Sequence, residues 1–290
     1  MEPELFFCVG ATKAGTTFLH AFLRDHPDCG LPPLKELHYF DTLEDGPKNW
    51  FARQLRRKRN QALTLSETAP KGRRDMLVRR AADIDAWLAI DQDPKTHAPY
   101  RHYLRHHAAG RRLTGDMTPA YGLLPVARLR EMADLAPAPR FVYLLRDPVE
   151  RAWSNTRMKV RRAGFEGAAA QTRAIEVFDR FLDGTEEQIG DRSNYAATLE
   201  ALTEAVPAER LHVEFFEELF AQTALDRITD FLGISRHPAA TGRVVHKGLP
   251  LTLDPERRAH ARARLCDQYD AVEAHLGQLP PSWLREKEHA

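Results

Sequence analysis

Cysteine is scarce: three in 290 residues, Cys8, Cys29 and Cys266, far apart and odd in number. No CxxC pair and no Cys/His ligand spacing occurs, which argues against a disulfide framework or structural zinc and for a reducing compartment. An excess of one charge is lacking too, since 42 basic residues face 41 acidic ones and leave a net charge of +1. No global field then steers the chain to nucleic acid or a membrane, and anion recognition has to be local. No apolar run approaches the roughly 18 residues of a membrane helix. Glu2 and Glu4 precede the first apolar run, opposite in sign to a signal peptide's start, so a cytoplasmic protein is expected.

What is present is an ordinary globular composition, 43% apolar, in a chain long enough for one large α/β domain or two small ones. Leu5–Val9 reads as a buried strand closed by Gly10, and Phe18, Leu19, Phe22 and Leu23 share one face of a following helix. Phe141–Leu145 and Leu211–Phe215 read as two more strands. After the first of these, Asp147 suits an N-cap, Pro148 the first helical position and Glu150 the third. Further helices are expected from the spacings Tyr195/Leu199/Leu202/Val206, Leu225/Ile228/Leu232 and Leu265/Tyr269/Val272/Leu276. The expectation is an α/β fold with a P-loop-like central parallel sheet flanked by helices on both faces. A single domain over 1–290 is expected, with a basic helical excursion at about 46–112. That excursion is either a solvated surface or a lid and acceptor-binding surface for an anionic substrate.

The first strand–helix junction, Gly10-Ala11-Thr12-Lys13-Ala14-Gly15-Thr16-Thr17, has the makings of a phosphate cradle. Glycines let backbone N–H groups converge on an anion, the helix N-terminus adds partial positive charge, Lys13 a full one, and Thr16 and Thr17 hydroxyls. It is not a Walker A loop, which ends in Gly-Lys-Ser/Thr with the hydroxyl on magnesium. A phosphate or phosphosulfate held without metal fits the shorter loop better.

With Arg146-Asp147-Pro148-Val149-Glu150-Arg151-Ala152-Trp153-Ser154 beside that loop, the sequence resembles the sulfotransferases that use 3′-phosphoadenosine 5′-phosphosulfate (PAPS). The likeness is closest to the heparan sulfate (glycosaminoglycan) branch and its soluble bacterial relatives. Lys35-Glu36-Leu37-His38-Tyr39-Phe40 and Thr118-Pro119-Ala120-Tyr121 match in order, and His246-Lys247-Gly248 matches more weakly. The resemblance implies a sulfotransferase fold and PAPS as donor, with PAP as product. It implies that Lys13, Ala14, Gly15, Thr16 and Thr17 hold the 5′-phosphosulfate. Arg146 and Ser154 would hold the 3′-phosphate, and Lys247 with the Gly248 amide would close over the nucleotide. Arg146 at a strand end and Ser154 two turns into the next helix both suit the mouth of an α/β sheet, and a guanidinium suits a phosphate dianion.

Sulfuryl transfer asks mainly for alignment and for stabilisation of the leaving oxygen, a task suited to Lys13; no metal is expected. The glycosaminoglycan branch places a glutamate where Glu36 stands, which makes Glu36 a candidate general base. Partial burial would raise its basicity, whereas Lys35 could hold it ionised. His38 is the rival, with an unperturbed pKa suited to the task. If residues 35–40 are extended, both share one face. Lys35, Asp116 and Tyr121 are the expected acceptor-binding residues. Met117 departs from the heparan sulfate pattern, which often has lysine there, so the acceptor stays open among saccharide, lipid and small molecule. Competing functions are a P-loop small-molecule kinase and a non-catalytic nucleotide-binding protein.

Overall fold

Four parallel strands end at one edge and deliver every loop of interest there. In the computed structural model, residues 2–44, 50–90, 93–239 and 248–284 are described. Strand β1 (Glu4–Gly10) leads into α1 (Thr16–Asp25) and α2 (Tyr39–Glu44). Three helices follow, α3 (Trp50–Thr68), α4 (Lys71–Leu88) and α5 (Ala98–Ala108), before β2 (Leu113–Asp116). A 3-10 turn at Pro119–Leu123 and α6 (Val126–Ala133) connect to β3 (Arg140–Leu145). Then come α7 (Pro148–Arg162), α8 (Gly167–Leu182), α9 (Glu187–Asp191) and α10 (Tyr195–Ala205), then β4 (Leu211–Phe215). The described chain finishes with α11 (Gln222–Leu232), α12 (Pro255–Arg264), α13 (Cys266–Leu276) and α14 (Pro281–Leu284).

The sheet order is β2-β1-β3-β4. Phe7 lies opposite Asp116, Gly10 opposite Tyr143, and Leu145 opposite Phe215, so the carboxyl ends point the same way and step forward from β2 through β1 to β3 and β4. The chain turns to opposite sides of β1 to form β2 and β3, which opens a crevice at the carboxyl ends, the usual ligand position in such sheets. Phe6 to Gly10 and Phe141 to Leu145 are buried without alternation, as strands covered on both faces must be. Phe7 packs on Phe141 at 5.2 Å between ring centroids and on Phe40 at 6.1 Å. Phe40 thereby ties the start of α2 to the sheet.

The three strands read from apolar runs are present, and so is the α7 cap: the Glu150 N–H donates to Asp147 Oδ1 at 2.9 Å. Leu265 belongs to the junction between α12 and α13 rather than to a helix running through it. Between residues 46 and 112 the described residues form α3, α4 and α5. α3 and α4 share a small core of Ala62, Ala69, Leu77 and Ala81, while Phe51 and Leu55 join the main core.

Candidate active site

The loop after β1 is shaped by two left-handed residues, Lys13 (φ 75°) and Gly15 (φ 92°). Gly15 is required twice over: a Cβ there would lie 2.6 Å from Leu219 Cδ2 and 3.0 Å from Phe216 Cδ2, in the segment after β4. Lys13, held in a conformation costly for a side-chain-bearing residue, turns its carbonyl to Arg146, whose Nη1 donates to it at 3.3 Å. Arg146 also lies over the Phe216 ring at 4.5 Å and pairs with Glu150 at 3.5 Å. Tyr195 Oη donates to its carbonyl at 2.8 Å. The loop after β1, the end of β3 and the end of β4 thus form one mouth.

That mouth is strongly positive. Burial, then the charges of Arg161, Arg146, Arg162 and Arg157, push the Lys13 ammonium down to about 8. Lys13, Arg157, Arg161 and Arg162 form no ion pair with any described residue. This donor set fits a ligand with several negative charges. Thr16 and Thr17 open α1, where main-chain N–H groups precede the helical ladder. Ala14 does not join them as expected, because its N–H is turned inward to the Ala11 carbonyl at 3.1 Å. Ser154 lies on α7, half-buried. Gly248 sits beside the Arg157 guanidinium, 3.4 Å from where a Cβ would be, so the returning chain reaches α7. His246 and Lys247 lie outside the described residues.

Residues 35–40 are not extended. His38 is left-handed (φ 52°) and α2 begins at Tyr39, yet Glu36 and His38 still converge, with Oε2 and Nε2 3.8 Å apart. Lys35 Nζ donates to Glu36 Oε1 at 2.8 Å and to Thr16 Oγ1 at 3.3 Å, which joins this segment to the cradle. Desolvation opposes ionisation of Glu36, but His38 and Lys35 outweigh it and hold its carboxyl well below the usual range. Burial therefore does not raise its basicity; the charged neighbours win. His38 is altered in the opposite sense. Desolvation pulls it down, but Asp41, 2.6 Å from Nδ1, and Glu36 lift it to about 9. This upward shift, caused by Asp41 and Glu36, disfavours the neutral imidazole that a general base at His38 needs.

Asp116 and Tyr121, expected to touch an acceptor, are instead interior, at 1% and 0% exposure. Thr118 Oγ1 donates to Asp116 Oδ1 at 2.7 Å, and the Tyr121 and Tyr100 hydroxyls donate to Oδ2 at 2.7 and 3.0 Å. Two of those hydroxyls in turn accept from the neighbouring main chain. Thr118 takes the N–H groups of Leu37 and His38 at 2.9 and 3.3 Å, and Tyr121 takes that of Tyr39 at 2.9 Å. Burial raises Asp116 to about 6 against the three donors. This hub holds the segment that carries Glu36 and His38 in place.

The sulfotransferase family model matches residues 3–238. The chain belongs to the sulfotransferase family. Solved structures similar to this sulfotransferase include one from Alicyclobacillus acidocaldarius, at 22% identity over 98% of this chain and 99% of that one, with a TM-score of 0.66. The sulfotransferase domain of the Synechococcus PCC 7002 olefin synthase gives 22% identity, 96% and 97% coverage and 0.54. The sulfotransferase domain from the curacin biosynthetic pathway gives 19%, 92% and 98%, and 0.51. These likenesses show the fold: a central four-stranded parallel sheet flanked by helices. No curated protein sequence matches the chain.

Reading the sequence missed several residues of this sulfotransferase's site. Thr118 stood in a quoted motif but its hydroxyl's two-sided role needs β2 beside α2. Asp41, three residues beyond His38, was legible as an i,i+3 partner. Phe216, directly after β4, could have been marked by the strand end. Arg157, Arg161 and Arg162 lie on α7, which begins two residues after Arg146, and their bearing on Lys13 appears only when β1 and β3 lie adjacent.

Proposed function

We propose that this sulfotransferase moves a sulfuryl group from PAPS to a hydroxyl or amine of a saccharide, lipid or small-molecule acceptor, releasing PAP without a metal. The observation that carries the reading is the bond from Arg146 Nη1 to the Lys13 carbonyl, 3.3 Å, which makes the two strand ends one cationic mouth. When bound, PAPS supplies an electrophilic sulfur and a phosphate leaving group. Lys13, with the first-turn amides of Thr16 and Thr17, would hold the phosphosulfate, and Lys13 Nζ protons would meet the charge that grows on the leaving oxygen. Arg146, Ser154 and the Gly248 amide would hold the ribose 3′-phosphate; we assign Lys247 there on the motif alone.

Glu36 is the base in this reading, taking the acceptor's proton on a carboxylate oxygen. Lys35 links that carboxylate to Thr16 of the cradle, so base and donor end are positioned as one unit. The Lys35–Phe40 motif speaks for kinship with the glycosaminoglycan branch. Met117 is 1% exposed and so offers the acceptor nothing there. We take residues 1–290 as one unit acting in the cytoplasm.

Thermal-shift titration tests this. PAP, in EDTA, raises the melting temperature in a dose-dependent way, and ATP with magnesium raises it less. Stabilisation by ATP–magnesium with none by PAP would turn the assignment to a kinase.

A further inference from the structure

We propose that a small monovalent anion of the halide class binds inside the molecule, between α7 and α9, held by Arg151 and Asn155. The site is interior and independent of which donor or acceptor the mouth takes.

Arg151 is the only lysine or arginine among the described residues that is fully buried. A guanidinium carries five N–H donors and a charge that no physiological pH removes. Nη2 donates to the Ile189 carbonyl at 2.9 Å and to the Ser193 hydroxyl. Nε and Nη1 are buried and meet no hydrogen-bond acceptor among the described residues. Asn155, one turn further along α7, is also fully buried, and neither its Oδ1 nor its Nδ2 has a hydrogen-bond partner there. The two side chains face the same neighbour. Positions 151, 155 and 159 are spaced four apart and share one face of α7. Arg151 reaches Ile189 and Ser193, while Lys159 reaches Glu186 and Gln188 at 2.7 and 3.3 Å. Asn155 lies between those two anchors and is turned toward α9 with them.

The charge is uncompensated as well. Arg151 forms no ion pair with any described residue, and Glu186, the carboxylate on this face, is engaged by Lys159. The phenols that bear on Arg151, Tyr143 and Tyr195, are pushed up by burial and stay neutral. The other charges that bear on it, Arg192 and Arg146, are cations. Water would satisfy the donors but leave the charge, and an isolated buried charge is far costlier than a lone polar group. An anion meets both needs. Ile189 and Ser193 beside it are at 0% and 1% exposure. So closed an interior, with so few donors, suits a single-atom anion better than a sulfate or phosphate. A halide there ties α7, which carries Ser154 and Arg157, to α9.

The test is thermal melting of the full chain at constant ionic strength, with chloride or bromide replacing gluconate. The wild-type melting temperature rises with halide and saturates as a single site does. R151M/N155L puts apolar side chains of similar size in both places, and Ser193 Oγ keeps its own bond to the Ile189 carbonyl at 2.8 Å. Its halide-dependent shift is less than about a tenth of the wild-type shift. R157Q/R161Q, which thins the cations of the mouth, keeps the wild-type shift. Loss of the shift in R157Q/R161Q with R151M/N155L unchanged overturns the proposal, because the halide then binds at the mouth. A wild-type melting temperature indifferent to halide overturns it too. Wild-type crystals grown in bromide give a reading that needs no variant. An anomalous peak beside Arg151 Nε and Asn155 Nδ2 supports the site, and no peak there at saturating bromide overturns it.

Discussion

Lys13 is a lysine placed among arginines, and its proton is correspondingly loose. Its free-enzyme pKa near 8 means that the cationic form declines as pH rises through that value. Donor kcat/KM should therefore be level below pH 7.5 and fall toward tenfold per pH unit well above 8. A profile flat to pH 9.5 would remove Lys13 from donor binding. Glu36 is the second residue under test. Glu36→Gln keeps the side chain's size and should leave PAP affinity within about twofold, while transfer falls by roughly 10²–10⁴, the usual worth of a general base. Wild-type turnover in that variant would move the base elsewhere. Lys13 was marked by its place between glycines at a strand–helix junction, whereas Glu36 was marked by the resemblance to the glycosaminoglycan branch. Their protonation was not legible, because it depends on Arg157, Arg161, Asp41 and His38 arriving in three dimensions.

At the scale of elements, what could be read in advance was what a short stretch encodes by itself. β1, β3 and β4 are unbroken apolar runs, and the Asp147-Pro148 start of α7 is written in its cap. β2 escaped notice because Leu-Thr-Gly-Asp has one large apolar side chain in four residues; pairing with β1 makes it a strand. Its end matters more than its length. Thr118→Val leaves the Leu37 N–H and one Asp116 oxygen without their partner, and should cost about 1–3 kcal/mol of stability. Because the 35–38 segment loosens with it, kcat should drop several-fold while PAP affinity changes little. Denaturant titration and steady-state kinetics check the pair of effects, and an unchanged kcat would make the hub purely structural. Gly15→Ala is the corresponding change in the cradle. Its left-handed backbone and contacts with Leu219 and Phe216 predict a loss of stability of about 1–3 kcal/mol, together with weaker PAP binding.

For the whole molecule, the β2-β1-β3-β4 order explains why motifs more than 100 residues apart act together. It sets β1 against β3, so Lys13 and Arg146 become neighbours, and it sets β2 on the other flank, so Thr118 and Asp116 reach the Glu36 segment. Linear reading supplied the pieces and their likeness to sulfotransferases. It could not supply the gathering of Arg146, Arg157, Arg161 and Arg162 around Lys13, which only the adjacency of β1 and β3 creates. The most direct test of that shared mouth is isothermal titration of PAP, in EDTA, into wild type, Lys13→Ala and Arg146→Ala. Wild type should bind one PAP per chain, and each variant at least tenfold more weakly. Variants that bind PAP as tightly as wild type would contradict the account.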